Sequence, residues 1–175
     1  MTRDVFASAA RSASVLMPGS YDPVTIGHLS VIEQTSRHFE RVHVIVFRNP
    51  DKRYLFTEEE RRHFLALACA HLSNVEVGIS DGYVADYARE RNLRYIVKGV
   101  RDARDRRYEE EMAAFNKARY PGADTLLVPC AEEMREISSS RVRAALASGE
   151  PIDRLVPASV ADALLAAFRK KDGKD

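Results

Sequence analysis

The sequence predicts a doubly wound α/β fold, a Rossmann-like five-stranded parallel sheet with helices on both faces. Three observations carry the prediction. Five short apolar runs alternate with segments of helical spacing. The second run, Val42-His43-Val44-Ile45-Val46-Phe47, is too continuously apolar for a strand with one wet face, so both faces must be covered, as in a parallel sheet. Polar turn segments follow the strands directly, at the edge where such sheets bind ligands.

Taken in order, residues 1–13 read as a loose leader, lacking the apolar core of a signal peptide or a membrane span. A single domain follows over 14–169, and 170–175 form a charged tail. Ser14-Val15-Leu16-Met17 is a buried strand, and 29–39 has helical spacing, with Leu29, Val31 and Ile32 set against Glu33, Gln34 and Arg37. After the second strand, Thr57 and Glu60 are spaced as a capping box, opening a helix to about residue 71 that buries Phe64, Leu65, Leu67 and Ala68. Residues 74–79 alternate as a third strand, and 83–91 read as a short helix.

Arg94-Tyr95-Ile96-Val97 is the fourth strand, ending at Lys98-Gly99-Val100-Arg101. The helix over 106–119 sets Tyr108, Met112 and Phe115 on its apolar side. Residues 124–128 form the fifth strand. A helix entered through Ile137-Ser138-Ser139-Ser140 stops near Gly149, and a last one starts at Pro157 and Ala158 with Val160, Leu164, Leu165 and Phe168 on one face.

At 175 residues the chain can bury one continuous core. A net charge of +1 offers no electrostatic case for a nucleic-acid or membrane partner. Cys69 and Cys130 lie far apart without metal-ligand neighbours, which points to reduced thiols, Cys69 buried, and a cytoplasmic location. His38, His43, His63 and His71 show no metal-ligand spacing, and no metal site is expected. No G-x-G-x-x-G follows a strand, and neither G-x-x-x-x-G-K-[ST] nor G-x-S-x-G occurs; this argues against a dinucleotide-binding dehydrogenase, a P-loop NTPase and an α/β hydrolase.

The segments 18–28, 48–54, 80–84, 98–101 and 129–140 should therefore crowd one edge. They bring His28, Lys52, Lys98, Arg101 and Arg104 together with the hydroxyls of Ser20, Thr25, Ser138, Ser139 and Ser140. Cations and donors without a nucleophile–base pair suit phosphate chemistry, in which positioning and charge neutralisation supply most of the rate. His28 falls near a helix start, where unpaired N–H groups favour an anion. Gly19 and Gly27 are expected to let backbone approach a ligand. Arg106 and Arg107 read as a solvated basic face, Asp22 and Asp81 as turn-formers, and 109–111 as a solvated acidic face except for Glu109.

The wording of the first turn is more specific. Thr25-Ile26-Gly27-His28 resembles the [His/Thr]-x-Gly-His signature of the nucleotidyltransferase superfamily. With Pro18-Gly19-Ser20-Tyr21-Asp22-Pro23 ahead of it, the chain is similar to the phosphopantetheine adenylyltransferase family. Lys98-Gly99-Val100-Arg101 resembles that family's [Lys/Arg]-Gly-x-Arg, Tyr108-Glu109 with Asn116 its Tyr-Glu…Asn pattern, and 137–140 its Ser-rich helix start.

The resemblance implies a Mg²⁺-dependent transfer of AMP from ATP to 4′-phosphopantetheine by in-line attack, giving dephospho-coenzyme A and pyrophosphate. It implies catalytic roles for His28, Lys52 and Arg101, and acceptor contacts from Ser20, Lys52, Val84 and Lys98. ATP contacts are implied for Ser20, Tyr21, His28, Gly99, Val100, Arg101, Glu109, Met134, Arg135, Glu136, Ile137, Ser138, Ser139 and Ser140. It further implies a homohexamer with coenzyme A as a feedback ligand. Ser20 stands where many members carry Thr, Met134-Arg135-Glu136 replaces an aromatic-containing stretch, and Gly82-Tyr83 replaces apolar residues near the acceptor arm. The alternatives are transfer to nicotinamide mononucleotide or glycerol phosphate, against which Thr25 argues, and a non-catalytic nucleotide-binding module.

Overall fold

The computed structural model describes residues 5, 6, 12–171 and 173. Residues 1–4 and 7–11 of the expected leader, and 172, 174 and 175 of the expected tail, lie outside them. Five parallel strands form one sheet in the order β3-β2-β1-β4-β5. They are β1 (Ser14–Gly19), β2 (Arg41–Phe47), β3 (Val75–Ser80), β4 (Tyr95–Val100) and β5 (Asp124–Pro129). The order reverses between β1 and β4, and at such a switch point the loops leaving the carboxyl ends diverge to opposite faces and leave a crevice.

The helices are α1 (Ile26–Ser36), α2 (Glu58–Cys69), α3 (Val84–Glu90), α4 (Ala103–Arg119), α5 (Ser139–Ser148) and α6 (Ala158–Lys171), with one 3₁₀ turn over Glu132–Met134. One face of the sheet packs Val15, Val44 and Val46 against Ile32 of α1, Phe64 and Leu65 of α2, Val142 of α5 and Leu164 of α6. The other packs Leu16, Ile45, Phe47 and Ile96 against Tyr87 and Ala88 of α3, with α4 beside α3. Burial on both faces accounts for the continuous apolar run of β2. The Phe6 ring stacks on His38 at 4.5 Å and packs edge-on to Phe39.

The capping box expected at α2 is present: Thr57 Oγ1 accepts the Glu60 N–H, and Glu60 Oε2 accepts the Thr57 N–H. Gly149 ends α5 with φ of 73°, a left-handed conformation that costs glycine little. Cys69 is buried as expected, and burial pushes its thiol up to about 12.

Three local expectations change. β4 runs on through Lys98, Gly99 and Val100, which sequence assigned to a loop. A Cβ at Gly99 would stand 3.1 Å from Val31 Cγ2, so this glycine lets α1 pack close to the strand. α4 starts at Ala103, earlier than expected, because Asp102 caps it by accepting the Asp105 N–H. The third change concerns the exposed Tyr108, Met112 and Phe115; the one buried residue of α4 is Glu109. Helical periodicity located this apolar face but not its surroundings, which are the wall of a cavity.

Candidate active site

The turn leaving β1 is held by side chains from three other elements. Pro18 O accepts from Lys98 Nζ at 3.2 Å, Ser20 O from Arg61 Nη1 at 2.7 Å, Asp22 O from Arg143 Nη1 at 2.6 Å, and Pro23 O from Ser139 Oγ at 2.8 Å. Asp22 lies in the turn, as expected, and is a buried anchor as well. Its carboxylate accepts the Leu55 and Phe56 N–H groups at 2.8 and 2.9 Å and so ties this turn to the segment ahead of α2. Gly19 also makes room within the turn itself. The Tyr21 ring occupies the space where a Cβ would lie, 2.8 Å from a ring carbon, while Tyr21 Oη donates to Met17 O.

Thr25 caps α1, which makes His28 the third residue of the helix and part of a capping box. The His28 N–H donates to Thr25 Oγ1, and His28 Nδ1 accepts the Thr25 N–H at 3.0 Å. An Nδ1 that accepts leaves Nε2 as the protonated nitrogen of a neutral ring, ready to donate to an anion. Burial, helped by Lys98 and then Arg101, pushes the His28 pKa down to about 4. The ring is therefore neutral at physiological pH.

Across the switch point, Lys98 Nζ lies 3.2 Å from Glu109 Oε1, so the cation on β4 and the single buried residue of α4 face each other. Arg101 is braced by Asp105, whose carboxylate accepts from the Arg101 backbone N–H and Nε, each at 3.2 Å. That contact raises the Arg101 pKa further and keeps the guanidinium charged. Ser138 caps α5 by accepting the Arg141 N–H, leaving the helix start and the hydroxyls of Ser139 and Ser140 at the same edge.

All five post-strand segments line one cavity of about 950 Å³. Of the expected site residues, it takes in Ser20, Tyr21, His28, Lys52, Val84, Lys98, Gly99, Arg101, Glu109, Met134, Ile137, Ser138, Ser139 and Ser140. Val100, Arg135 and Glu136 do not line it: Val100 is buried in the sheet, and Arg135 lies 3.8 Å from Glu132. Arg48, Asn49 and Cys130, which lie in the expected edge segments without an assigned role, line the cavity too, and so do Asp105, Met112 and Phe115, which sequence reading did not place at the site. The apolar spacing of α4 was the only available signal for Met112 and Phe115. Arg61 and Arg143 act through contacts distant in sequence that no local pattern marks, whereas Asp105 stands four residues after Arg101, a spacing masked by the charged helix start.

This cavity has two kinds of wall. Lys52, Lys98, Arg101 and the neutral His28 supply donors for phosphate, while Val84, Met112 and Phe115 offer an apolar side. The cytidylyltransferase-like family matches residues 16–145. A phosphopantetheine adenylyltransferase of Synechococcus sp. (strain JA-3-3Ab) is 46% identical over 153 residues, covering 87% of this chain and 96% of its own. The chain belongs to the phosphopantetheine adenylyltransferase family. The Haemophilus influenzae (strain 86-028NP) member is 42% identical over 154 residues, covering 87% and 98% of the two chains. In three dimensions the chain resembles a solved structure described as a nicotinate-nucleotide adenylyltransferase of Vibrio parahaemolyticus, with a TM-score of 0.62. That likeness covers 91% of this chain and 96% of the other at 22% identity, and bears on the fold alone.

Proposed function

We propose that the chain transfers AMP from ATP to 4′-phosphopantetheine, giving dephospho-coenzyme A and pyrophosphate. The observation that carries this reading is one cavity that has both a cationic wall and an apolar wall. An acceptor with a phosphate and a long, weakly polar arm suits it better than nicotinamide mononucleotide, whose second half is a charged ring.

An oxygen of the acceptor phosphate attacks the α-phosphorus of ATP as the bond to the β-phosphate oxygen breaks, and pyrophosphate leaves with that electron pair. His28 donates from Nε2 to the phosphate oxygens as charge builds in the transition state. Lys52 and Lys98 hold the acceptor phosphate, Lys98 through the N–H donor left over by Pro18 O and Glu109. Arg101 and the α5 start hold the leaving phosphates. The carboxylates Asp105 and Glu109 are engaged by Arg101 and Lys98, so Mg²⁺ would be carried by the triphosphate rather than by these side chains and would supply charge neutralisation there.

No helix among the described residues is long and apolar enough to cross a membrane, and a cytoplasmic location fits this role. A homohexamer belongs to the same reading, which sedimentation would test, and coenzyme A, sharing the product's arm, would compete at the same cavity. The reading is tested by pyrophosphate release with ATP and Mg²⁺, offering 4′-phosphopantetheine and nicotinamide mononucleotide in parallel. Release only with the first supports it. Release only with the second, or with neither, overturns it.

A further inference from the structure

Arg61 has no place in the chemistry above, yet its side chain is among the most buried in the molecule, 1% exposed. Nη1 donates to Ser20 O at 2.7 Å, and the guanidinium lies 4.0 Å from the centroid of the Tyr54 ring. Tyr54 Oη accepts the Asn49 N–H at 2.9 Å, and Asn49 O accepts the Lys52 N–H at 3.1 Å. One cation on α2 thus joins the Ser20 turn to the root of the loop that carries Lys52.

Stability does not account for a cation here. Among the described residues no carboxylate pairs with Arg61, and its Nε has no hydrogen-bond partner. A buried charge without a counter-charge is costly, and an apolar side chain would pack the same space at less expense. The loop does need a brace. Arg48, Asn49, Pro50 and Lys52 line the large cavity on one side and a second cleft of about 510 Å³ on the other, where Tyr54 and Arg61 also lie. With open space on both sides, the Lys52 loop depends on Tyr54 and Arg61 for its position.

We propose that Arg61 is a positioning residue that fixes the Lys52 loop against the Ser20 turn and thereby sets the acceptor side of the site. The inference rests on the reading that Lys52 holds the acceptor phosphate. Lysine at 61 keeps the charge but not the planar stack on Tyr54 combined with the reach to Ser20 O. Tyr54→Phe keeps the ring and removes only the acceptor for Asn49.

The test compares wild type, Arg61→Lys, Arg61→Met and Tyr54→Phe in steady-state kinetics, with thermal midpoints and hydrogen exchange across 48–54. Arg61→Lys should raise KM for 4′-phosphopantetheine about tenfold while KM for ATP stays within twofold. Tyr54→Phe should raise the same parameter about threefold. Amide exchange should quicken in 48–54 but not in α1. An unchanged acceptor KM in Arg61→Lys, or equal shifts for both substrates following the thermal midpoint, would overturn the proposal. Should Arg61→Met not fold, the other two variants decide. Should the wild type fail to use 4′-phosphopantetheine, the functional reading falls and the exchange pattern alone decides: quickening confined to 48–54 upholds the brace, and unchanged exchange refutes it.

Discussion

His28 Nδ1 accepts the backbone N–H of Thr25 at 3.0 Å, so the group that caps α1 also fixes the tautomer of the ring that faces the cavity. Replacing His28 by Ala removes the donor at Nε2 while leaving the cations in place. The expected result is a fall in kcat of about 100- to 1000-fold, with KM for ATP changed by no more than a few fold. Steady-state kinetics checks it; a raised KM with kcat intact would mean that His28 only binds.

Burial of the same ring predicts a pH response. The His28 pKa in the folded chain is about 4, below the ordinary value of 6.5. The folded state therefore binds fewer protons than the unfolded state between these values, and stability rises with pH across that window. This contribution is full above pH 6.5 and is lost as pH falls toward 4. Imidazole C–H shifts followed by NMR should place the His28 midpoint near 4, and activity should show no acid limb from this residue between pH 6 and 8. A midpoint near 6.5 would contradict the burial-driven shift.

Lys98 and Glu109 form a pair that is only 25% and 11% exposed. Lys98→Met leaves the Glu109 carboxylate without its cation and should destabilise the chain by about 1–3 kcal/mol, read from urea unfolding. It should also raise KM for the acceptor, since the same cation is assigned to the acceptor phosphate. Loss of stability with unchanged acceptor KM would make the pair structural only.

Asp22 anchors two backbone N–H groups from the segment that leads into α2. Asp22→Ala should cost about 2–3 kcal/mol, because two buried donors lose their acceptor. Asp22→Asn keeps one carbonyl oxygen and should cost less. Equal losses in the two variants would point to packing rather than to these hydrogen bonds.

At the α2 start, Thr57→Ala removes a cap that does not line the large cavity and should cost about 1 kcal/mol of stability without changing kcat. A matching drop in kcat would show that the α2 start bears on the site.

Local rules explain why some of this was legible in the sequence. The order of strands and helices follows from periodicity, the caps at Thr57 and Gly149 from residue type, and the gathering of five loops from the parallel topology. The rest is set by contacts between distant residues. Gly99 reads as a turn but lies on β4, because its missing Cβ makes room for Val31. Asp22 reads as a turn-former because Leu55 and Phe56, which it holds, are more than thirty residues away. Tyr108, Met112 and Phe115 have core spacing and form a cavity wall, since periodicity defines a face without saying what it meets.

The central claim is that AMP moves directly from ATP to the phosphate of 4′-phosphopantetheine in this cavity. It is tested most directly by following the label of ATP carrying a labelled α-phosphorus through a single turnover with that acceptor and Mg²⁺. The account predicts that the label passes into dephospho-coenzyme A and never becomes attached to protein. Label on the protein, or label that stays in ATP, would contradict it.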